Sequence, residues 1–431
     1  MSDTDASADL ESKKSFFRQS GWMVISTFLM GVCMLGIHPL CKKLSNAEYE
    51  IALTMLSILQ LMSIPAGALQ MAFARQTSAA ITEGEQKDLA GTFHAIMKFG
   101  TVVWLLFFLF VAWRMDWILA TLRLTNPAGV WCTCAAGLTL FWWAVAIGVV
   151  QGRQNFLWYG FASIFNGFGR IGIALAAVLY LGWGGSGIMF AAWMGLTVSA
   201  LTVLWHSRDL FTHAANKVKW NRWLADIVPL VMAGAIIQIF MSVDRIIVKA
   251  RLPSGFMADY GVASTLVLGM VGFIGPIAAV MFPKIVRSAR LEEKSNALSL
   301  TVLTTAVVSI AGAIALSFLA PIMIEIGFDK KFLGIKPLVP WYVVSMVPLC
   351  LTNVLIAHLL ATKRNRAIAC LLLIAIAYAV TLSKTVPMVS AGDPLMPVFK
   401  QVVWTLGGFN LLLLTATSAI CYFGRQGDKA D

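Results

Sequence analysis

Residues 238–283 read QIFMSVDRIIVKARLPSGFMADYGVASTLVLGMVGFIGPIAAVMFP, and the fold turns on how they are understood. Both ends of the stretch are apolar enough to lie in lipid. Its first half nevertheless carries Asp244 and Arg245 beside Ser242, with Lys249 and Arg251 just beyond. An ionised side chain at membrane depth costs about 2.5–3.5 kcal/mol on insertion scales, so such groups face protein or a wet cavity and mark a function. The stretch therefore reads as a charged transmembrane helix followed by a second apolar span.

The surrounding chain has the composition this requires. Of its 431 residues 59% are hydrophobic and 13% charged, and the mean hydropathy is +0.79. Soluble domains carry about 25% charged residues. Runs such as Val102–Trp113 and Leu371–Val380, with their apolar flanks, suit spans of about 20 residues. The first eleven residues hold Asp3, Asp5, Asp9 and Glu11, the wrong sign for the start of a secretory signal, so the first span is expected to stay in the mature protein. The cysteines lie in or beside apolar runs and read as small hydrophobes. Cys132 and Cys134 have no histidine or second cysteine pair beside them, so no metal and no cofactor is expected.

Hydropathy places about twelve spans: 21–39, 51–74, 92–113, 129–149, 157–181, 185–205, 227–247, 260–282, 298–324, 338–360, 367–386 and 398–423. The expected fold class is an all-α polytopic membrane protein. Every connection is short, and the longest, near Arg208–Asp226, divides the chain into two sets of six spans. The domains expected are an N-terminal lobe at 1–206, a linker at 207–226 and a C-terminal lobe at 227–431. With the N-terminus inside, the inner side holds twenty of the 33 basic residues and the outer side eleven; Arg170 and Arg245 fall within spans. This asymmetry puts both termini in the cytoplasm. It also accounts for most of the net charge of +12, so no nucleic-acid partner is needed.

An internal repeat supports the division. Ala47-Glu48-Tyr49 followed by Pro65 aligns with Ala258-Asp259-Tyr260 followed by Pro276, at a constant offset of 211 residues. The same offset places Arg153 on Arg364. Six spans per half is an even number, so the repeats run parallel, and binding sites in such folds sit between the halves near the midplane.

Two polar stripes keep helical spacing. Tyr159, Ser163, Asn166 and Arg170 share one face of the fifth span; Gln238, Ser242, Arg245 and Lys249 share one face of the seventh. Interhelical hydrogen bonding with snorkelling cations accounts for such stripes in many proteins. Snorkelling suits Lys249, near a helix end, better than Arg170, near the middle of its span. Guanidinium offers a fixed fork of donors that matches phosphate oxygens, so a cavity lined by Arg170 and Arg245 suits an anionic head. Arg245 and Lys249 share their face with no carboxylate and are expected to have positive charge to spare. Asp244 points about 100° away; it reads either as a salt-bridge partner for another helix, such as that of Arg170, or as a proton or Na+ site. Pro65 and Gly67 in the second span, and Gly275 and Pro276 in the eighth, are candidate gating or hinge positions. Thr82–Leu89 and Leu291–Asn296 read as short charged inner loops.

Ser242-Val243-Asp244-Arg245-Ile246-Ile247-Val248, Ala258-Asp259-Tyr260-Gly261-Val262-Ala263-Ser264, Val280-Met281-Phe282-Pro283-Lys284 and Val149-Val150-Gln151-Gly152-Arg153-Gln154 fall in order on the expected spans. In these the chain resembles the multidrug/oligosaccharidyl-lipid/polysaccharide (MOP) superfamily, and within it the bacterial polysaccharide and O-antigen export flippases. The resemblance covers nearly the whole chain; Ser242 stands where the family often has Asn. It implies two six-helix lobes around a V-shaped central cavity, as in the multidrug and toxin extrusion (MATE) transporters.

The resemblance implies a flippase, not an enzyme: a bacterial inner-membrane carrier of a polyprenyl-diphosphate-linked oligosaccharide, working by alternating access. Arg170, Arg245 and Lys249, with Asn166, Gln238 and Ser242 beside them, would hold the diphosphate. Asp244 would couple a proton or Na+. Membrane lipids and polysaccharide-assembly proteins are the partners expected. A cation-coupled MATE-type drug exporter shares the architecture, but its cavity should be net acidic. A membrane sugar polymerase or ligase usually carries a large outer loop, and this chain has none.

Overall fold

The structure is a computed structural model that describes residues 22, 25–124, 126–253, 256–272, 297–362, 364–388 and 394–427. It is helical throughout, with no strand among these residues. The helices are α1 (25–35), which runs into a 3-10 turn at His38–Lys43, α2 (Asn46–Ala79), α3 (Glu83–Trp113), α4 (Met115–Thr121), α5 (Ala128–Gly152) and α6 (Phe156–Leu175). They continue with α7 (Gly184–His206), α8 (Trp220–Arg251), α9 (Met257–Gly272), α10 (Ala297–Gly327), α11 (Val339–Ala361), α12 (Asn365–Thr385) and α13 (Leu395–Gly427). Eleven spans among the described residues are long and apolar enough to cross a membrane, which makes this a multi-pass membrane protein. The eighth expected span is described only as far as Gly272, as the shorter apolar helix α9. Gly275, Pro276 and the 291–296 loop lie outside the described residues.

The chain forms two compact units. The first comprises residues 1–37, 65–118 and 126–227; the second comprises 38–64, 119–125 and 228–431. Two of the boundaries cut long helices: one between Ile64 and Pro65 in α2, the other between Ile227 and Val228 in α8, next to Pro229. Pro65 is accommodated without breaking the helical run from Asn46 to Ala79.

In the first unit α5 is the inner helix. Two thirds of its apolar window is buried, against 11% for α3, whose Val102, Leu105, Leu106 and Leu109 face outward. The sequence accounts for the difference. Gly148-Val149-Val150-Gln151-Gly152 sets two glycines four apart, and a β-carbon on either would lie 2.6 Å from a carbonyl oxygen of α2, that of Gln70 or Ala74. Small residues at that spacing let helix backbones touch where lipid supplies no hydrophobic drive for association. The other helices of this core are α6 and α7, which pack against each other, with α7 also against α5. The second unit builds its core from α11 against α10 and α13, and α12 against α13. Its interior is aromatic: Tyr49, Phe240, Tyr260, Tyr342, Tyr378 and Phe399 are all buried.

The stretch 82–89 is not a loop. Thr82 caps α3, its hydroxyl accepting the Glu85 amide while Glu85 Oε2 accepts the Thr82 amide at 2.9 Å. The Thr-x-x-Glu spacing is the signature of such a reciprocal cap, and it turns a charged stretch into the first turn of a helix.

Candidate functional site

In the first unit the α6 stripe is buried as its spacing suggests. Arg170 is 8% exposed, although it sits in the middle of a span. Gly195 on α7 makes room for it, since a β-carbon there would lie 2.7 Å from both the Arg170 amide nitrogen and the Asn166 carbonyl oxygen. Arg170 Nη1 lies 3.1 Å from the Met34 sulfur, Asn166 Nδ2 lies 3.9 Å from that of Met30, and Arg170 Nε has no partner. Thioether sulfur is a weak acceptor. Among the described residues no carboxylate pairs with this guanidinium. Lower on the same face, Gln70 Nε2 donates to Gln151 Oε1 at 3.0 Å and to the Tyr159 hydroxyl at 3.5 Å. Ser163 spends its hydroxyl on the Tyr159 carbonyl at 3.0 Å.

In the second unit the α8 stripe meets the first half of α2. Gln238 Nε2 donates to Ser63 Oγ at 3.1 Å, Arg245 Nη2 to Gln60 Oε1 at 2.6 Å, and Lys249 Nζ to Glu50 Oε2 at 2.8 Å. Numbers that fall along α2 as they rise along α8 show that the two segments run antiparallel. Arg245 Nη2 also donates to the Met241 carbonyl at 2.9 Å, and its Nε has no partner. Ser242 is buried with its hydroxyl unpartnered.

Lys249 is not the spare cation that its own helix face suggested. It is 2% exposed and paired with Glu50, which is fully buried and takes a second bond from the Met257 amide at 2.6 Å. The pairing carboxylate comes from 199 residues away, so inspection of α8 alone misses it. Burial also rules out snorkelling. Two ions removed from water need each other and further hydrogen bonds, and here the ions pair while the Met257 amide serves the second carboxylate oxygen.

Asp244 lies on another face of α8 and is fully buried. Its Oδ2 accepts from the Tyr260 hydroxyl at 2.6 Å and from the Tyr342 hydroxyl, so phenols take the place of a guanidinium partner. Its Oδ1 has no partner. Behind it Tyr378 stacks on Phe240 at 4.7 Å. Glu50, Gln60 and Tyr342 are the polar residues here that sequence reasoning missed. Glu50 had a readable signal, an acid directly ahead of the expected span 51–74. Tyr260 stood in the quoted 258–264 stretch without a role.

A cavity of about 220 Å³ opens at the ends of α2, α3 and α5 in the first unit, among Thr77, Gln86, Arg153, Asp209 and His213. Arg153 grips Asp209 with both terminal nitrogens, one at 2.8 Å. Its hydrogen bonds hold the Asp209 carboxyl below the usual carboxylate range. This cavity holds none of the stripe residues.

No family model and no curated protein sequence matches the chain, but solved structures do. The lipid II flippase MurJ in an inward closed conformation superposes with a TM-score of 0.69 at 17% identity, covering 91% of this chain and 86% of that one. An inward-facing multidrug resistance MATE family transporter of the MOP superfamily gives 0.68 at 13% identity, covering 95% of each. A MOP superfamily transporter from Pyrococcus furiosus, described as having a binding pocket of reverse polarity, gives 0.64 at 12% identity over 94% of this chain and 95% of that one. Over nearly its whole length, this multi-pass membrane chain has the fold shared by the transporters and flippases of the MOP superfamily.

Proposed function

We propose that the chain is a flippase that carries a polyprenyl-diphosphate-linked oligosaccharide across a bacterial inner membrane by alternating access, with both termini in the cytoplasm. The observation that carries this reading is a pair of buried guanidiniums, Arg170 and Arg245, that no carboxylate neutralises among the described residues. A buried, unpaired cation is costly to maintain. A phosphate-bearing ligand would supply the missing charge through the bidentate geometry that guanidinium favours. The likeness to the lipid II flippase MurJ supports a lipid-linked cargo. Lys249 has no part in the binding set, because Glu50 already holds it. Asn166 shares the α6 face of Arg170, and Gln238 the α8 face of Arg245.

Asp244 is the coupling site in this reading. It is a fully buried carboxylate with one bare oxygen, set to take a proton or Na+. The same group supports a second reading, export of organic cations as in the MATE transporters.

The deciding experiment reconstitutes the purified protein in liposomes and follows a lipid-linked oligosaccharide by its accessibility to a reagent confined to one leaflet. Arg170→Gln and Arg245→Gln are each expected to slow its transfer at least roughly tenfold, the loss of one charge-assisted phosphate contact. Transfer at the wild-type rate in both variants, with uptake of cationic dyes intact, would establish the exporter reading instead.

A further inference from the structure

Glu50, Gln60 and Ser63 of α2 meet Lys249, Arg245 and Gln238 of α8 in turn. They differ in charge. Lys249 meets a carboxylate and is closed off as a complete ion pair. Among the described residues the hydrogen-bond acceptors of Arg245 are neutral: the Gln60 amide oxygen and its own helix's Met241 carbonyl. Those two acceptors fix the direction of the guanidinium and leave its formal charge uncompensated. Glutamate is as long as glutamine and presents an oxygen at the same place, so the amide at position 60 differs from an acid in charge and not in shape. The Glu50 rung shows what the acid does on the same pair of helices.

We propose that Gln60 is a positioning residue that sets the charge preference of the site: it aims Arg245 and keeps that cation free for the phosphates of an anionic lipid headgroup. This rests on the anion-binding reading given above. Gln60 is itself half-buried.

The test uses the full-length protein in lipid nanodiscs and two probes, farnesyl diphosphate and inorganic pyrophosphate. Gln60→Glu is expected to weaken farnesyl diphosphate binding roughly tenfold or more, because the introduced carboxylate takes the place of the ligand's charge. The same variant should unfold at the wild-type temperature or higher, since it completes an ion pair. Gln60→Met, which keeps the net charge, should weaken binding less than Gln60→Glu. A parallel loss of pyrophosphate binding would mean that the phosphates alone are read. A loss confined to farnesyl diphosphate would assign the site to the lipid-borne headgroup. Wild-type binding by Gln60→Glu, while Arg245→Gln has lost it, would overturn the role of Gln60 and leave the anion reading intact. Unchanged binding in Arg245→Gln would instead remove the anion reading on which the proposal stands. Weaker binding by Gln60→Glu together with a lower unfolding temperature would overturn the proposal in favour of a packing role.

Discussion

Lys249 and Arg245 lie one helical turn apart on α8, yet their surroundings make them opposites. The first has its charge cancelled by a fully buried acid, and the second keeps its charge among neutral oxygens. The difference is measurable. Lys249→Met leaves the Glu50 carboxylate buried and unpaired and should cost about 3–5 kcal/mol of stability. Glu50→Gln combined with Lys249→Met removes both charges and should recover most of that loss. Thermal unfolding of the purified proteins separates these outcomes; a double variant no more stable than the single one would mean that the pair contributes through packing alone. None of this is legible in the sequence at residue scale. Helical spacing shows which side chains of one helix share a face, but it says nothing of the helix opposite.

Single helices are more legible. The spans announced themselves through hydropathy because lipid demands long apolar helices with every backbone group bonded internally. The α6 stripe was readable because a guanidinium in mid-span has few comfortable places to go. The start of α3 is less legible: its charge density suggests a loop, while the Thr-x-x-Glu spacing, four residues wide, carries the opposite information. That cap has a local signature. Thr82→Ala should speed hydrogen exchange at the amides of residues 83–86 roughly fivefold, as expected for a lost N-cap of about 1 kcal/mol, and leave α5 unchanged. Unaltered exchange at those amides would mean that Glu85 alone holds the turn.

Across the whole molecule, the offset of 211 residues marks two related halves in the sequence, but the compact units do not coincide with a single cut in the chain. The second unit includes residues 38–64, which the sequence supplies long before the rest of it. That segment brings Glu50, Gln60, Ser63 and the buried Tyr49 into a unit otherwise made from 119–125 and 228–431. A gene divided at the polar stretch between the halves would therefore produce a downstream product whose Lys249 has lost its counter-ion and whose α8 has lost its lining. Such a fragment should be degraded when made alone and should accumulate when the upstream fragment is made beside it, as immunoblots of membranes would register. Accumulation of the lone downstream piece would mean that its core closes without the borrowed strand of helix. The dependence runs one way: the second unit draws on the first half of the chain for part of its core, while the first unit takes no residue from beyond 227.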